Sequence, residues 1–270
     1  MNVKYVDAHC HLQFDDYNAD SEALISRMHE TGVAGIVVGC DLETSRKAVA
    51  LAEKYEHLYA AVGLHPNNIV AEGYDISHYR ALATHPKVIA IGECGLDYYR
   101  PTDVNEEVKR KQKEVLQKHI ELAALLDKPL ILHPRPSKGT MDAYTDLIEI
   151  LKVAKVSYPN LRGDAHFFVG GITEARALIA LGFTVSFTAV ITFARDYDEV
   201  IRAVPLESIL SETDAPYVAP APRRGKRNDP LAVIDVVAKI AEIRREDPEM
   251  VRETILANTK KMFAFGKISC

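Results

Sequence analysis

Ala34-Gly35-Ile36-Val37-Val38-Gly39 is a run of six residues without a polar side chain. A continuous apolar run this short marks a strand buried on both faces, as in a parallel sheet covered by helices. Segments with apolar residues at helical spacing flank it: 20–31 (Ala23, Leu24, Met28), which stops at Gly32, and 42–55. The alternation continues outward. Further strands are expected at 3–6, 58–62, 88–91, 129–132, 161–165, 184–187 and 209–211, and further helices at 76–84, 106–126, 141–154, 173–181 and 196–203. Eight strands alternating with helices in 270 residues predict an α/β fold, a single (β/α)8 TIM barrel occupying residues 1–270, with extra C-terminal helices at 231–245 and 248–263. A doubly wound open sheet is the rival architecture. No Gly-rich loop follows the first strand, so nothing marks a nucleotide P-loop or a dinucleotide site.

Composition narrows the function classes. With 47% hydrophobic and 26% charged residues the chain reads as an ordinary globular protein, and a formal net charge of -5 argues against a protein that coats nucleic acid through a wholly basic surface. Any polyanion must be met by a local patch. No apolar run reaches membrane-span length and no signal region precedes the first strand, so the expectation is a cytoplasmic protein with no membrane association and no obligate protein partner. Cys10, Cys40, Cys94 and Cys270 lie far apart without Cys-x-x-Cys spacing. That excludes a zinc knuckle or disulfide framework and makes Cys10 and Cys94 small buried hydrophobes.

In a barrel the strand C-termini converge on one face, so polar residues at those points meet in space. Strand one ends in Asp7-Ala8-His9-Cys10-His11, where alternation turns both histidines the same way. Strand three ends in Gly63-Leu64-His65-Pro66, strand four in Gly92-Glu93-Cys94-Gly95-Leu96-Asp97-Tyr98, strand five in His133, strand six in Asp164-Ala165-His166 and strand eight in Glu212-Thr213-Asp214-Ala215-Pro216. The other five histidines, His29, His57, His78, His85 and His119, fall in helices or at the opposite strand ends and read as structural or exposed. Scattered histidines would not sort themselves this way. Four imidazoles with Glu93 and Asp214 exceed what one tetrahedral ion with an open position needs, and predict two divalent ions sharing the Glu93 carboxylate. Asp214 could bind metal and also take a proton from water. His65 either orients substrate or caps a turn.

At these motifs, and at Arg224-Gly225-Lys226-Arg227-Asn228, the chain resembles the TatD family of metal-dependent deoxyribonucleases within the amidohydrolase-like barrels, nearly end to end. The resemblance implies that His9, His11, Glu93 and Asp214 hold one ion and Glu93, His133 and His166 the second, with Mg2+, Mn2+ or Zn2+ as occupants. It implies a 3′ to 5′ exonuclease on single-stranded or frayed DNA. Two loops depart from the family pattern. His166-Phe167-Phe168-Val169-Gly170 stands where His-Cys-Phe-Ser-Gly is usual, removing a hydroxyl, and Pro134-Arg135-Pro136 stiffens the segment after His133.

Two cations suit phosphodiester hydrolysis because they lower the pKa of water and stabilise charge on phosphoryl oxygens. Arg224, Lys226 and Arg227, after the last strand, form one basic loop on the same face, and Arg100 and Arg135 each follow a ligand motif. All five are expected phosphate contacts. Tyr98 or Tyr99 either stacks on a base or packs. The same barrel chemistry could instead hydrolyse amides, lactones or aminoacyl esters, and the altered His166 loop motivates that alternative. A metal-stabilised binding module without turnover is a third reading.

Overall fold

Because each predicted strand is apolar on both faces, each needs a helix outside and a packed interior inside, and the computed structural model, which describes residues 1–69, 75–100 and 104–264, has that arrangement. The strands are β1 (Tyr5–Cys10), β2 (Val33–Val38), β3 (Leu58–Val62), β4 (Val88–Asp97), β5 (Leu130–Arg135), β6 (Gly163–Ala165), β7 (Phe183–Phe187) and β8 (Ile209–Ser211). They pair in parallel, in chain order, from β1 to β8. The helices are α1 (Ser21–Thr31), α2 (Leu42–Lys54), α3 (Ile76–Ala83), α4 (Glu106–Leu126), α5 (Asp142–Ser157), α6 (Ile172–Ala180) and α7 (Asp198–Ala203), with α8 (Val233–Arg244) and α9 (Pro248–Phe263) closing the chain. The fold is the expected TIM barrel with extra C-terminal helices.

Capping explains several boundaries. Asp41 caps α2 by accepting the Thr44 N–H, Asn105 caps α4 through Val108, and Asp247 caps α9 through Met250 with Pro248 in the first turn. Gly32, at φ 80°, ends α1 in the left-handed conformation that favours glycine.

The largest departure from the sequence expectation is β4, which runs on to Asp97 instead of stopping near residue 91. Two glycines allow it. A β-carbon on Gly92 would lie 2.5 Å from the Ile131 carbonyl oxygen, and one on Gly95 2.4 Å from that of His133, so only glycine lets β4 lie this close to β5. The whole motif around Glu93 is therefore rigid strand. Cys10 and Cys94 are fully buried in the packing between strands and helices, as expected, and Cys270 lies outside the described residues.

Helix α4 braces the upper ends of β3 and β4. Gln112 makes a two-sided amide bridge to the Asp97 backbone, accepting its N–H (2.9 Å) and donating to its carbonyl (3.0 Å). His119 is wholly buried, donates from Nδ1 to the Val115 carbonyl (2.9 Å) and accepts the Leu64 N–H at Nε2 (3.1 Å). Burial pushes its pKa down to about 4. The unfolded ring, near 6.5, binds a proton that the folded ring refuses, so its stabilisation is present above about pH 6.5 and is lost as pH falls toward 4. In urea titrations His119→Gln should cost about 1–3 kcal/mol at pH 7.5 through the lost buried hydrogen bonds, and the gap to the unmodified protein should shrink toward zero at pH 4.5. A gap independent of pH would show that the buried ring is not what titrates.

Candidate metal centre

At the C-terminal ends of the strands the chain brings together side chains from β1, β4, β5, β6 and the turn after β8. Glu93 is the hub. It is 3% exposed, and its two carboxylate oxygens face different neighbours: Oε2 lies 3.5 Å from His9 Nε2, while Oε1 lies 2.6 Å from His133 Nδ1, 3.2 Å from His166 Nε2 and 3.5 Å from His65 Nε2. Asp214 faces the β1 pair, with Oδ1 3.4 Å from His11 Nε2 and 3.9 Å from His9 Nε2. All six ligand positions expected from the sequence thus meet in one cluster. His9, His11 and Glu93 form one close donor group, His9, His166 and Asp214 a second, and Glu93, His133 and His166 a third.

The ring orientations suit cation binding. His11 donates from Nδ1 to the Val38 carbonyl (2.8 Å) and His166 from Nδ1 to Glu212 (3.0 Å), so both turn Nε2 to the centre, the nitrogen that a cation would take in exchange for a proton. His133 donates from Nε2 to Asp97 (3.2 Å) and presents Nδ1. The His9 and His11 Nε2 atoms stand 3.3 Å apart, and His9 Nδ1, fully buried, has no partner. Lone pairs facing one another beside two carboxylates are unfavourable until a cation lies between them, so these residues fit a divalent metal.

His65 is different. Its Nδ1 accepts the Asn67 N–H (3.1 Å), which leaves the proton on Nε2 facing Glu93. It both caps its turn and orients the hub carboxylate. Burial lowers its pKa to about 3, which keeps the ring neutral.

With no cation bound, protons on the imidazoles take its place against the carboxylates. Burial alone would raise the Glu93 pKa, but the surrounding imidazoles and the hydrogen bonds from His133 and His166 hold it well below the usual carboxylate range. Burial lowers the His166 pKa, and Glu212 and Glu93 more than reverse this. Asp214 is likewise held ionised against burial, chiefly by His11.

Asp7, Asp97 and Glu212 stand in the same motifs, where sequence alone assigns them no role. The structure does. Glu212 accepts from His166, from the Phe167 N–H (2.7 Å) and from Ser186 Oγ (2.7 Å), and so holds Phe167 at φ 45°, a costly value for a residue with a β-carbon. Asp97 accepts from Asn67, His133 and the backbone of Tyr99 and Arg100. Asp7 accepts the Thr213 N–H (2.9 Å) and hydroxyl (2.5 Å), joining the first strand to the turn that carries Asp214. The available signal was acidity immediately beside a ligand, which alone does not separate a supporting carboxylate from a turn residue.

A cavity of about 940 Å³ opens above the centre. Its lining includes His65, Arg100, Arg135 and Tyr99, and on its apolar side Phe14, Phe167, Val169 and Tyr217. Tyr98 packs instead, with its hydroxyl on Asp146 (2.8 Å). Arg224, Lys226 and Arg227 are not among the lining residues. Arg227 clasps Asp20 with both guanidinium nitrogens (2.8 and 2.6 Å), lies over the Tyr17 ring, and so ties the loop down. Arg223 pairs with Asp229 and Asp235, and Arg224 lies over Phe193. Beside them Asn228, fully buried, donates to the carbonyls of Thr213 and Val218 (3.3 Å each) and accepts from Tyr17 on its own carbonyl (2.8 Å). The segment expected to meet phosphate is largely a clasp on the Asp214 turn, where Asp214 itself sits at φ 53°. Basic composition and position over the barrel mouth could not distinguish these uses, because Asp20, the partner of Arg227, lies far off in sequence.

Donors of this kind at the top of a TIM barrel define a metal-dependent hydrolase, and the comparisons agree. A family model described as TatD related DNase matches residues 6–264, and the chain belongs to this family. It is 36% identical over 264 residues to the uncharacterized metal-dependent hydrolase YabD of Bacillus subtilis, covering 95% of this chain and 98% of the relative. The crystal structure of the TatD homologue YjjV from Escherichia coli K12 superposes with a TM-score of 0.86 at 31% identity, covering 98% and 99% of the two chains. A TatD family hydrolase from Entamoeba histolytica, at 22% identity and TM-score 0.83 over 97% of this chain and 99% of its own, shows the same fold. Among the described residues no helix is long and apolar enough to cross a membrane.

Two substitutions test the supporting residues. Glu212→Gln keeps the shape but removes the charge behind His166, and should weaken metal binding about 10–100-fold in competition with a chromophoric chelator while leaving the far-ultraviolet spectrum unchanged. Asn228→Ala leaves the buried Thr213 carbonyl and the half-buried Val218 carbonyl without their donor and should cost about 1–3 kcal/mol by thermal melting. If the clasp serves the Asp214 turn, its metal content after dialysis should fall as well; full metal content would leave Asn228 a purely structural residue.

Proposed function

We propose that the protein hydrolyses phosphodiester bonds in DNA, acting from the 3′ end of single-stranded or frayed substrates, with two divalent ions (Mg2+, Mn2+ or Zn2+) at the centre. His9, His11, Glu93 and Asp214 would hold one ion and Glu93, His133 and His166 the other. When bound, such ions lower the pKa of water and offset charge developing on the phosphoryl oxygens.

The observation that carries the reading is the pairing of this centre with a cavity wall that is cationic. Arg100 and Arg135 line the cavity, and among the described residues its only acidic lining residues are Glu93 and Asp214 on the floor. We assign the phosphate contacts to Arg100 and Arg135 ahead of Arg224, Lys226 and Arg227. Depth favours an end over an interior bond: His9 is 0% and Glu93 3% exposed, so the reacting group must enter a recess, which an unpaired terminus can do and the middle of a duplex cannot. Asp214, with 14% of its side chain exposed, is ionised and open to the cavity, placed to accept a proton at Oδ from the attacking water. His65 keeps a proton directed at Glu93 and so fixes the hub carboxylate.

The test strips the protein with a chelator, restores each metal separately and follows 5′-labelled single-stranded DNA. The expected result is a metal-dependent ladder of shortening products, reduced about 1,000-fold in Glu93→Ala, as loss of several kcal/mol of charge stabilisation requires. Intact DNA with protein of verified metal content would overturn the reading and direct the search to amides, lactones and aminoacyl esters.

A further inference from the structure

Residues 134–141, from the last two residues of β5 to the start of α5, supply eight consecutive members of the cavity lining. This loop is built. Asp142, at the start of α5, accepts the Ser137 N–H (2.9 Å), the Ser137 hydroxyl (2.8 Å) and the Thr140 hydroxyl (2.9 Å), and Gly139 turns at φ 77°. Between these fixed points Lys138 is exposed on the cavity wall.

Arg100, Arg135 and Lys138 therefore share one cavity, and among the described residues none of the three has a carboxylate within ion-pair distance. Neighbouring cations do: Lys109 pairs with Asp142 (3.4 Å) and Lys113 with Asp146 (2.7 Å). Arg135 is held over the Tyr99 ring, 4.6 Å from guanidinium carbon to centroid, which turns its N–H edges outward for paired hydrogen bonds to two oxygens of an anion. Three uncompensated like charges on one wall repel each other, and an anion is what relieves them. A single scissile phosphate, which cations held at the floor would draw down, leaves charge on this wall unmet.

We infer that the wall of Arg100, Arg135 and Lys138 is a subsite for a second phosphate, so that the preferred substrate is an oligonucleotide end carrying a phosphate beyond the scissile one. This rests on the phosphodiesterase reading. It makes a dinucleoside monophosphate, whose only phosphate is the one to be cut, a poor substrate on which degradation stalls. Some other enzyme class, a phosphodiesterase without this requirement, must then consume it.

The experiment compares dTpdT, pdTpdT and dTpdTp as substrates of the metal-loaded protein and, by isothermal titration calorimetry, as ligands of the slow variant Glu93→Gln. At least one phosphorylated dinucleotide should exceed dTpdT about 10–100-fold in kcat/KM and in affinity. Lys138→Met should shrink that ratio to within about threefold, Lys138→Arg should restore it, and added salt should shrink it too. Equal use of all three dinucleotides, or an equal loss on all three in Lys138→Met, overturns the subsite. Preferential binding of a phosphorylated dinucleotide, lost in Lys138→Met, with no hydrolysis of any DNA by the metal-loaded protein upholds the subsite and overturns the phosphodiesterase reading instead.

Discussion

The ionised Glu93 carboxylate, buried at the centre of a protein barrel, is the constraint on which the rest depends. An isolated carboxylate this deep would bind a proton to escape the desolvation cost. Glu93 does not, because imidazoles from β1, β3, β5 and β6 direct ring nitrogens at its two oxygens. Each imidazole is in turn fixed from behind or has its remaining nitrogen left over. Remove the negative hub and the imidazoles lose their reason to converge; remove the imidazoles and the hub loses its charge. That interdependence is what makes the site a single unit.

Most of this unit was legible in the sequence. The alternation of short apolar runs with helical segments specified a barrel, and the barrel made strand ends converge, so residues as distant as His9 and Asp214 could be placed together without any contact information. The expected ligands meet because each lies at the end of a strand, where the backbone leaves little freedom. What was not legible depended on pairings between distant residues. Arg227 reads as a free cation until Asp20 is seen against it, and Asn228 reads as a loop residue until its amide is found between Thr213 and Val218. The length of β4 was missed for a related reason: Gly92 and Gly95 look like strand breakers, and only the nearness of β5 shows that they extend the strand.

The departures from the family pattern also acquire a physical meaning. In the loop after His166, Phe168 turns inward and packs at an angle on Tyr144 and Phe187, while Phe167 and Val169 line the cavity. Apolar side chains stand in the cavity lining where the family pattern has a hydroxyl. The prolines around Arg135 belong to a loop already braced by Asp142, so they add stiffness to a segment whose shape is fixed from both ends.

A barrel made from an open chain has one joint, where the last strand meets the first. Here that joint is thin: among the described residues the β1–β8 ladder is one isolated bridge, between Cys10 and Ala215, reinforced by the hydrogen bonds of Asp7 to Thr213, Asp214 to the His9 carbonyl and His11 to the Ala215 carbonyl. His9 and His11 stand on one side of it and Asp214 on the other. A cation shared by these three is a rivet through the hoop, and its binding energy is energy that keeps the hoop shut. On the proposed ligand assignment, supply of the metal and stability of the folded chain would be linked, and loss of the ion would weaken the barrel at its joint.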